Sequence, residues 1–341
     1  MESNGRMSIE VVKSGLLTTI QDLGRFGYQK YGVIAGGAMD TFAHRVANVL
    51  VGNEETEATL EMTVVGPALY FEEEALIAVC GAEFAPSIGD AVLPMWRPIW
   101  VNAGQTVRFG TARSGVRGYM AVAGGFRLPK VMNSYSTYLR AQIGGFEGRA
   151  LRESDVLHLK EMNTLSRRLI RLLRSSDRKH ETHATVPWQV SGALMPKYSA
   201  SPVLRALPGR QYEKFTEESR ADFFSQPFIM QPQSDRMGCR LQGRPLRLAE
   251  PAEMLSEPVA FGTVQVPADG NPIVLMADRQ TTGGYPKIAE VISVDLPLLA
   301  QARVGSEIRF ERIDVREAQR KRMMLDLSID LLKQAIIAYA Q

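Results

Sequence analysis

Polar and apolar residues alternate along several short segments in the first half of the chain. In "QTVRFG", Val107 and Phe109 fall on one face of an extended strand, while Thr106 and Arg108 fall on the other. The segment "DVLHLK" repeats this alternation. Because glycine or proline interrupts such runs about every ten residues, the pattern predicts antiparallel strands that close a barrel or a sandwich over residues 7–162.

The same rhythm of strands and turns returns over residues 187–314. Near the end of this stretch, "VGSEIRFER" resembles "AGQTVRFG" in the first half of the chain. This similarity favours a second lobe with a β architecture like that of the first. The predicted fold class is therefore mainly β, with two lobes and few helices.

A basic segment, residues 163–186, separates the two predicted lobes. It begins with "TLSRRLIRLLR", which has the spacing of a short amphipathic helix, and continues as a polar run. One interpretation is a patch that binds nucleic acid or a membrane surface, but the arginines have no aromatic residues between them, so a solvated linker is favoured. His180 and His183 in this segment have HxxH spacing without a third ligand nearby, and no metal site is predicted there.

Two segments inside the lobes have the apolar period of a helix. "MDTFAHRVANVLVGN" places Phe42, Val46, Val49 and Leu50 on one stripe. "EKFTEESRADFFS" is a second helix candidate in the other lobe. His44 lies inside the first helix and is interpreted as a structural residue.

The tail of the chain, residues 315–341, is the most regular helical segment. Leu325, Ile329, Leu332 and Ile336 recur at the spacing of one helix face. This spacing predicts a C-terminal amphipathic helix that either covers its own domain or contacts a partner, and the first alternative is favoured.

Composition places the chain among ordinary globular proteins. Its 341 residues favour two domains, and 45% hydrophobic and 23% charged residues argue against extensive disorder. A net charge of +3 is too small to predict a polyanionic partner, so no nucleic acid is expected. Two distant cysteines favour a cytoplasmic location, and the absence of a long apolar run argues against a membrane span.

Three glycine-rich polar segments carry the candidate chemistry. They are "TTIQDLGRFGYQKYGVIAGGAMD" at residues 18–40, "QPQSDRMG" at 231–238 and "MADRQTTGGYPKIAEV" at 276–291. Each contains both an acid and an arginine. One interpretation is that buried Asp–Arg pairs hold loops in place; the other is a polar binding cleft suited to amides and carboxylates.

Several catalytic classes lack their sequence signals. The chain has no GxxxxGK[ST] phosphate loop, no GxGxxG after a strand and no GxSxG nucleophile motif. It also lacks the "MKM" that accepts biotin, so this chain is not expected to carry biotin.

Ordered motifs along residues 9–310 carry a resemblance to a known family. "GLLTTIQDLGRFGYQKYGV", "GGAMD", "IGGFEGRAL", "PQSDRMG", "PIVLMADRQTTGGYPKIA" and "DLPLLAQ" resemble the KipA / allophanate-hydrolase-subunit-2 family. This family includes the C subunit of bacterial 5-oxoprolinase and half of the carboxyltransferase domain of urea carboxylase. The resemblance implies two cyclophilin-like β-barrel lobes. It also implies two partner proteins, a KipI-like B subunit and a LamB/YcsF-like A subunit.

The resemblance further implies an ATP-dependent opening of the 5-oxoproline lactam to glutamate, with ATP and Mg²⁺ needed by the whole complex. Phosphoryl and carboxylate oxygens would require cations, and proton or metal handling would require acids. The residues predicted for these catalytic roles are Asp22, Arg25, Asp235, Arg236, Asp278, Arg279 and Lys287. The residues predicted to bind the amide substrate are Gln21, Gln233, Ser234, Gln280, Thr281, Thr282 and Tyr285.

Two alternative functions stay open beside the 5-oxoprolinase role. The first is a regulatory protein that binds KipI, an inhibitor of a sporulation histidine kinase. The second is one half of a biotin-dependent carboxyltransferase that acts on urea or another amide, with the carboxylated biotin supplied by another polypeptide.

Overall fold

The computed structural model describes residues 7–174, 181–251 and 254–341. Within these ranges the chain is mainly β, which confirms the predicted fold class. The chain divides into two compact units. The first comprises the described residues of Met1–Gly24, Thr41–Met195 and Leu327–Gln341, and the second comprises those of Arg25–Asp40 and Pro196–Asp326.

The first unit is built around two six-stranded antiparallel sheets. One sheet has the order β11-β1-β4-β9-β6-β7, and the other has the order β12-β8-β5-β10-β3-β2. The strands are β1 (Ser8–Lys13), β2 (Leu17–Gln21), β3 (Thr59–Thr63), β4 (Ala68–Phe71), β5 (Ala75–Glu83), β6 (Ser87–Ile88), β7 (Ala91–Val92), β8 (Pro98–Val101), β9 (Gln105–Arg108), β10 (Ser114–Val122), β11 (Val156–His158) and β12 (His183–Thr185).

The alternating segments form strands as predicted. In β9, Val107 is buried in the core of this unit, while Arg108 is exposed. In β11, Leu157 is buried between exposed Val156 and His158. Apolar side chains from both sheets meet in a single cluster, which explains why one face of each strand is apolar.

The first helix, α1 (Thr41–Leu50), lies where the apolar period predicted it. The predicted stripe of Phe42, Val46, Val49 and Leu50 is buried. The helix packs on β5 and β10, so eight consecutive residues of β5, from Ala75 to Ala82, are buried. A strand covered on both faces reads as a continuous apolar run instead of an alternating one.

His44 is a buried polar residue of α1. Its Nε2 donates to the backbone oxygen of Glu55 at 3.1 Å, and its Nδ1 lies 2.9 Å from the hydroxyl of Thr59. Burial lowers the pKa of His44 to about 4, although the charges of Asp22 and Glu61 act in the opposite direction. His44 is therefore a neutral structural residue at neutral pH, as the sequence interpretation holds.

The depressed pKa of His44 predicts a loss of stability in mild acid. In the unfolded chain, histidine takes up its proton below about pH 6.5, whereas the folded site resists protonation down to about 4. Above the unfolded pKa, the neutral His44 site therefore adds its full contribution of about 3 kcal/mol to the free energy of unfolding. This contribution decreases as pH falls and is lost at the folded pKa of about 4. We expect the unfolding free energy of His44→Gln, measured in urea, to depend less on pH over this window than that of the unchanged protein. Equal pH dependence of the two proteins would contradict this assignment.

The predicted basic linker, 163–186, contributes two elements to the first unit. Helix α2 (Thr164–Leu173) is capped at its N-terminus by Asn163, whose side chain accepts from the backbone N–H of Ser166 at 2.9 Å. Strand β12 pairs with β8. The first unit thus extends beyond the predicted boundary at 162, and His180 lies outside the described residues. Non-local pairing of this kind leaves no local sequence signal.

The second unit is a closed barrel of seven strands, in the order β13-β20-β17-β18-β15-β14-β21. A parallel pair, β13 with β21, completes the ring of otherwise antiparallel pairs. The strands of this unit, including a separate hairpin of β16 and β19, are β13 (Val203–Pro208), β14 (Phe228–Met230), β15 (Gly238–Gln242), β16 (Glu257–Pro258), β17 (Thr263–Gln265), β18 (Ile273–Leu275), β19 (Thr282–Gly283), β20 (Lys287–Val291) and β21 (Glu307–Arg312).

Aromatic side chains fill part of the core of this unit. The predicted second helix is α3 (Glu217–Ser225). Phe223 of this helix stacks on Phe310 with ring centroids 4.4 Å apart and lies 6.1 Å from Phe228. A short helix, α4 (Leu296–Ala300), also packs against the barrel strand β13.

The predicted C-terminal helix is α5 (Val315–Tyr339). Of its apolar stripe, Ile329 and Ile336 are buried, and Leu325 and Leu332 are half-buried. Within the first unit, the ring of Tyr339 meets that of Trp188 edge to face at 5.4 Å. The burial of Ile329 and Ile336 within the first unit favours a helix that covers its own domain over one that contacts a partner. Among the described residues, no helix combines the length and apolarity needed to cross a bilayer.

Candidate active site

Gln21, the last residue of strand β2, and Asp22, which follows it, are the first predicted site residues and lie in the first unit. The Gln21 amide donates to the Thr137 backbone oxygen at 3.2 Å, and its own carbonyl oxygen is buried without a hydrogen-bond partner. The Asp22 carboxylate accepts hydrogen bonds from two serine hydroxyls and two backbone N–H groups. These donors are Ser134 Oγ (2.7 Å), Ser136 Oγ (2.5 Å), Tyr135 N (2.6 Å) and Gly24 N (2.8 Å). Asp22 therefore holds the 134–136 loop in place.

Arg25 belongs to the second unit and is its largest fully buried side chain. Its backbone N–H donates to the Ala35 oxygen at 2.6 Å, and its own backbone oxygen accepts from the Gln29 amide at 2.7 Å. These bonds close the glycine-rich 25–40 loop on itself. The loop thus presents Arg25 inward, away from solvent.

The segment 233–236 forms a tight turn before β15. Exposed Asp235 accepts from the backbone N–H groups of Met237 and Gly238, at 2.8 and 3.2 Å. The Ser234 hydroxyl accepts from the backbone N–H of Arg240 at 3.0 Å. The side chains of Ser234 and Asp235 therefore stabilise the turn, and the Arg236 side chain points into the unit.

Arg236 and Asp278 form a two-pronged ion pair in the second unit. Arg236 Nε lies 2.9 Å from Asp278 Oδ2, and its Nη2 lies 3.0 Å from Oδ1. The same Nη2 donates to the Gly37 backbone oxygen at 2.6 Å. Parallel N–H···O bonds of this kind fix both orientation and distance. One arginine thus joins the three predicted segments that hold Gly37, Arg236 and Asp278.

Arg279 follows this pair and has weaker contacts. Its guanidinium lies 5.7 Å from the centre of the Phe261 ring, and its hydrogen bonds to the Val259 and Met276 oxygens are long, at 3.4 and 3.3 Å. Burial lowers the pKa of Arg279, while the charges of Glu290 and Asp278 oppose that change. A cation with long, neutral contacts has donors left to bind an anion.

Glu290 lies on β20 and shares a hydrogen bond with Thr263. The Thr263 hydroxyl lies 3.0 and 2.9 Å from the two carboxylate oxygens. Burial raises the pKa of Glu290, although the Thr263 hydrogen bond and the charges of Lys287 and Arg279 act against it. The sequence reasoning missed this acid, because a single glutamate in a strand has no motif around it.

Lys287 is almost completely buried at the start of β20. Its ammonium lies 3.3 Å from Glu257 Oε2, and exposed Arg210 lies 3.1 Å from the other oxygen of the same carboxylate. Gln211 also donates to Glu257 Oε2, at 3.3 Å. Arg210, Gln211 and Glu257 were not predicted. The one signal in the sequence was Gln265, a polar residue inside the apolar strand segment "TVQVP", which pairs with Lys287.

Tyr285 lies between two open cavities on the second unit. It lines a polar cavity of about 390 Å³ together with Gln233, which brings two predicted substrate-binding residues to one place. It also lines a more apolar cavity of about 510 Å³ beside Phe215 and Met254.

The remaining predicted substrate residues lie in the 280–282 segment. Gln280 and Thr281 are half-buried, and the Thr281 backbone oxygen accepts from Val259 at 3.2 Å. Thr282 is exposed in β19 and pairs with Pro258. Nothing in these contacts tests their predicted binding role, which stays a prediction.

Comparison with known proteins identifies the family. Residues 31–312 match the model of the carboxyltransferase domain, subdomain A and B. The chain belongs to the carboxyltransferase-domain family. This assignment confirms the resemblance found from the sequence motifs.

Relatives of this carboxyltransferase-domain chain include proteins of similar length. It is 40% identical over 329 residues to the 5-oxoprolinase C subunit of Haemophilus influenzae, covering 96% of this chain and 98% of that protein. It is 37% identical over 317 residues to the 5-oxoprolinase C subunit of Escherichia coli, covering 92% and 94% of the two chains.

Solved structures extend the likeness to a larger enzyme. The crystal structure of Kluyveromyces lactis urea amidolyase matches 97% of this chain with a TM-score of 0.86 and 28% identity. The carboxyltransferase-domain chain spans only 20% of that protein. The match therefore concerns one part of a larger polypeptide.

Proposed function

We propose that this chain is the C subunit of a bacterial ATP-dependent 5-oxoprolinase, which opens 5-oxo-L-proline to L-glutamate. The observation that carries the proposal is the 40% identity to a 5-oxoprolinase C subunit over 98% of that protein's length. The proposed partners are a KipI-like B subunit and a LamB/YcsF-like A subunit. ATP and Mg²⁺ are proposed as requirements of the complex, and the location is proposed to be the cytoplasm.

The proposed chemistry activates the lactam before water attacks it. Transfer of the ATP γ-phosphoryl group to the lactam oxygen releases ADP and makes the ring carbon electrophilic. Water adds to this carbon, and the C–N bond breaks as the nitrogen takes a proton, which leaves an acyl phosphate. A second water then cleaves the acyl phosphate to the new carboxylate and free phosphate. Negative charge develops on the phosphoryl oxygens during this sequence and needs cationic donors. Arg279 is the candidate in this chain, because its present hydrogen bonds are long and it is half-buried.

The proposal is tested by reconstitution of the three proteins. The purified chain is mixed with its KipI-like and LamB/YcsF-like partners, and glutamate formed from 5-oxoproline is measured with and without ATP. ATP-dependent glutamate that requires this chain supports the proposal. Tight binding of the KipI-like protein without turnover would favour a regulatory role instead.

Carboxyl transfer is the second candidate function. It is favoured by the match of nearly the whole chain to part of urea amidolyase, with a TM-score of 0.86. Incorporation of labelled bicarbonate into an amide, in the presence of a separately supplied biotin protein, would favour this reaction over lactam opening.

Replacement of Arg279 tests its role within the complex. We expect Arg279→Ala to lower kcat/KM for 5-oxoproline by about a hundredfold, because removal of one charge-stabilising donor commonly costs this much. The matched control is Arg309→Ala, which removes an exposed arginine paired with Glu307 and is expected to leave turnover unchanged. Melting curves of both variants check folding, and full activity of a folded Arg279→Ala complex would exclude this role.

A further inference from the structure

Several hydrogen-bond donors converge on one acid, Glu257, at the edge of the second unit's barrel. Lys287 and Gln211 approach the same oxygen, Oε2, each at 3.3 Å, and Arg210 approaches Oε1 at 3.1 Å. Charge-assisted N–H···O bonds are ordinarily shorter, at about 2.7–2.9 Å. The carboxylate therefore lies within this group of donors without fitting closely against any of them.

One buried donor of this group has no acceptor, and the Lys287 ammonium reaches its acceptors only over long distances. The Lys287 ammonium has a second contact, to the Gly283 oxygen, at 3.5 Å. The side-chain nitrogen of Gln265 is buried and has no hydrogen-bond partner, and the residue itself is 1% exposed. An unsatisfied buried donor is costly, so the unpartnered Gln265 nitrogen calls for an explanation, and a bound ligand supplies one.

The backbone places these donors side by side. Gln265 on β17 is paired with Lys287 on β20, and Glu257 on β16 is paired with Gly283 on β19. A Cβ on Gly283 would lie 2.3 Å from the Gln265 side-chain nitrogen. Glycine at 283 thus lets the hairpin approach the Gln265 amide closely, so that all the donors face one small region.

Burial differs sharply between the carboxylate and the groups that surround it. Lys287, Gln211 and Gln265 are buried, whereas the Glu257 side chain is 27% exposed and that of Arg210 is 73% exposed. Glu257 therefore lies between solvent and the buried ammonium. Because β16, which carries Glu257, lies outside the seven-stranded barrel, an outward rotation of this side chain would open the buried donors without moving a barrel strand.

We propose that this group is a binding site for the carboxylate of a small ligand, and that Glu257 occupies the site in the absence of that ligand. An incoming carboxylate would replace the Glu257 oxygens between Arg210 and Lys287, and accept from the amides of Gln211 and Gln265. The identity of the ligand as 5-oxoproline rests on the proposed function, since this lactam carries one carboxylate; the site itself does not.

Calorimetric titration of the purified full-length chain tests the site without any turnover. The probes are 5-oxoproline, 2-pyrrolidinone (the same lactam without its carboxylate) and inorganic phosphate. We expect 5-oxoproline to bind and 2-pyrrolidinone not to bind. Equal binding of the two lactams, or tighter binding of phosphate than of 5-oxoproline, would overturn the assignment.

Two substitutions at the site are expected to change the affinity for 5-oxoproline in opposite directions. Glu257→Ala removes the resident carboxylate, so affinity for 5-oxoproline is expected to rise about tenfold. Arg210→Ala removes an exposed cation with little risk to folding, and affinity is expected to fall about tenfold. Glu307→Gln, an exposed acid of an unrelated pair, is the control that should leave affinity unchanged. Unchanged or weaker binding by Glu257→Ala would overturn the proposal.

The outcome separates the site from the proposed function. If the titrations fail while the reconstituted complex still forms glutamate, the carboxylate site is wrong and the 5-oxoprolinase function stands. If the titrations succeed but the complex forms no glutamate, the site stands as a carboxylate site of another activity.

Discussion

Replacing Asp22 by alanine is expected to destabilise the first unit by about 3–5 kcal/mol, because it removes a buried charged acceptor from four donors at once. The substitution leaves the hydroxyls of Ser134 and Ser136 and the backbone N–H groups of Gly24 and Tyr135 without their present partner. Asp22→Asn keeps an oxygen but loses the charge and one acceptor, so an intermediate effect is expected. Urea unfolding followed by circular dichroism measures both.

Exposed Asp90 offers the matched control for this experiment. Asp90→Ala removes an acid from a surface turn of the same unit, and its effect on unfolding free energy is expected to stay within about 0.5 kcal/mol. The comparison also separates structure from catalysis. An Asp22→Ala protein that unfolds like the unchanged protein, yet inactivates the reconstituted complex, would assign Asp22 to chemistry and remove it from the structural framework.

The regular elements were predictable because their signals are local. Val107 in β9 and Leu157 in β11 alternate with polar neighbours, and the Ile329–Ile336 stripe repeats at the helix period. Each pattern arises because one face of a single strand or helix is buried, and the period of that element places the apolar residues of this face at fixed spacings in the sequence. The structure has β9, β11 and α5 at the positions of these three patterns.

The division into units was harder to predict, because it depends on pairing between distant segments. β12, at His183–Thr185, joins the first unit by pairing with β8, more than eighty residues earlier. The 25–40 loop was predicted within the first lobe but clusters with the second unit. The sequence of a short polar loop does not indicate which of two cores the loop will pack against, so its unit could not be predicted.

The candidate site shows the same difference between composition and pairing. Sequence reasoning placed an acid and an arginine in each segment and considered pairs that pin loops. The structure joins Arg236 of one segment with Asp278 of another, 42 residues apart, and joins Lys287 with Glu257, which no motif marked. The sequence showed which segments combine charged residues with glycines. The partner of each charged residue could not be predicted, because it depends on the order of the strands in the barrel.

Breaking the Arg236–Asp278 pair is expected to be nearly as costly as removing Asp22. Arg236→Ala leaves the Asp278 carboxylate buried without its two-pronged partner, which typically costs about 3–5 kcal/mol. Arg236→Lys keeps the charge but cannot make two parallel bonds, so a smaller loss is expected. Urea unfolding of the two variants measures the difference, and Arg309→Ala, from an exposed pair, should change stability by about 1 kcal/mol or less.

A double substitution decides how much of that loss comes from the stranded charge. In Arg236→Met with Asp278→Leu both charges are gone, so the loss should be smaller than the sum of the two single losses. A double variant that loses as much as that sum would mean that the pair has no coupling and that the Gly37 contact carries the effect. Because Arg236 also binds the Gly37 oxygen, its loss should additionally increase amide hydrogen exchange in the 25–40 loop. Asp278→Leu alone, which keeps Arg236 in place, should increase exchange there less.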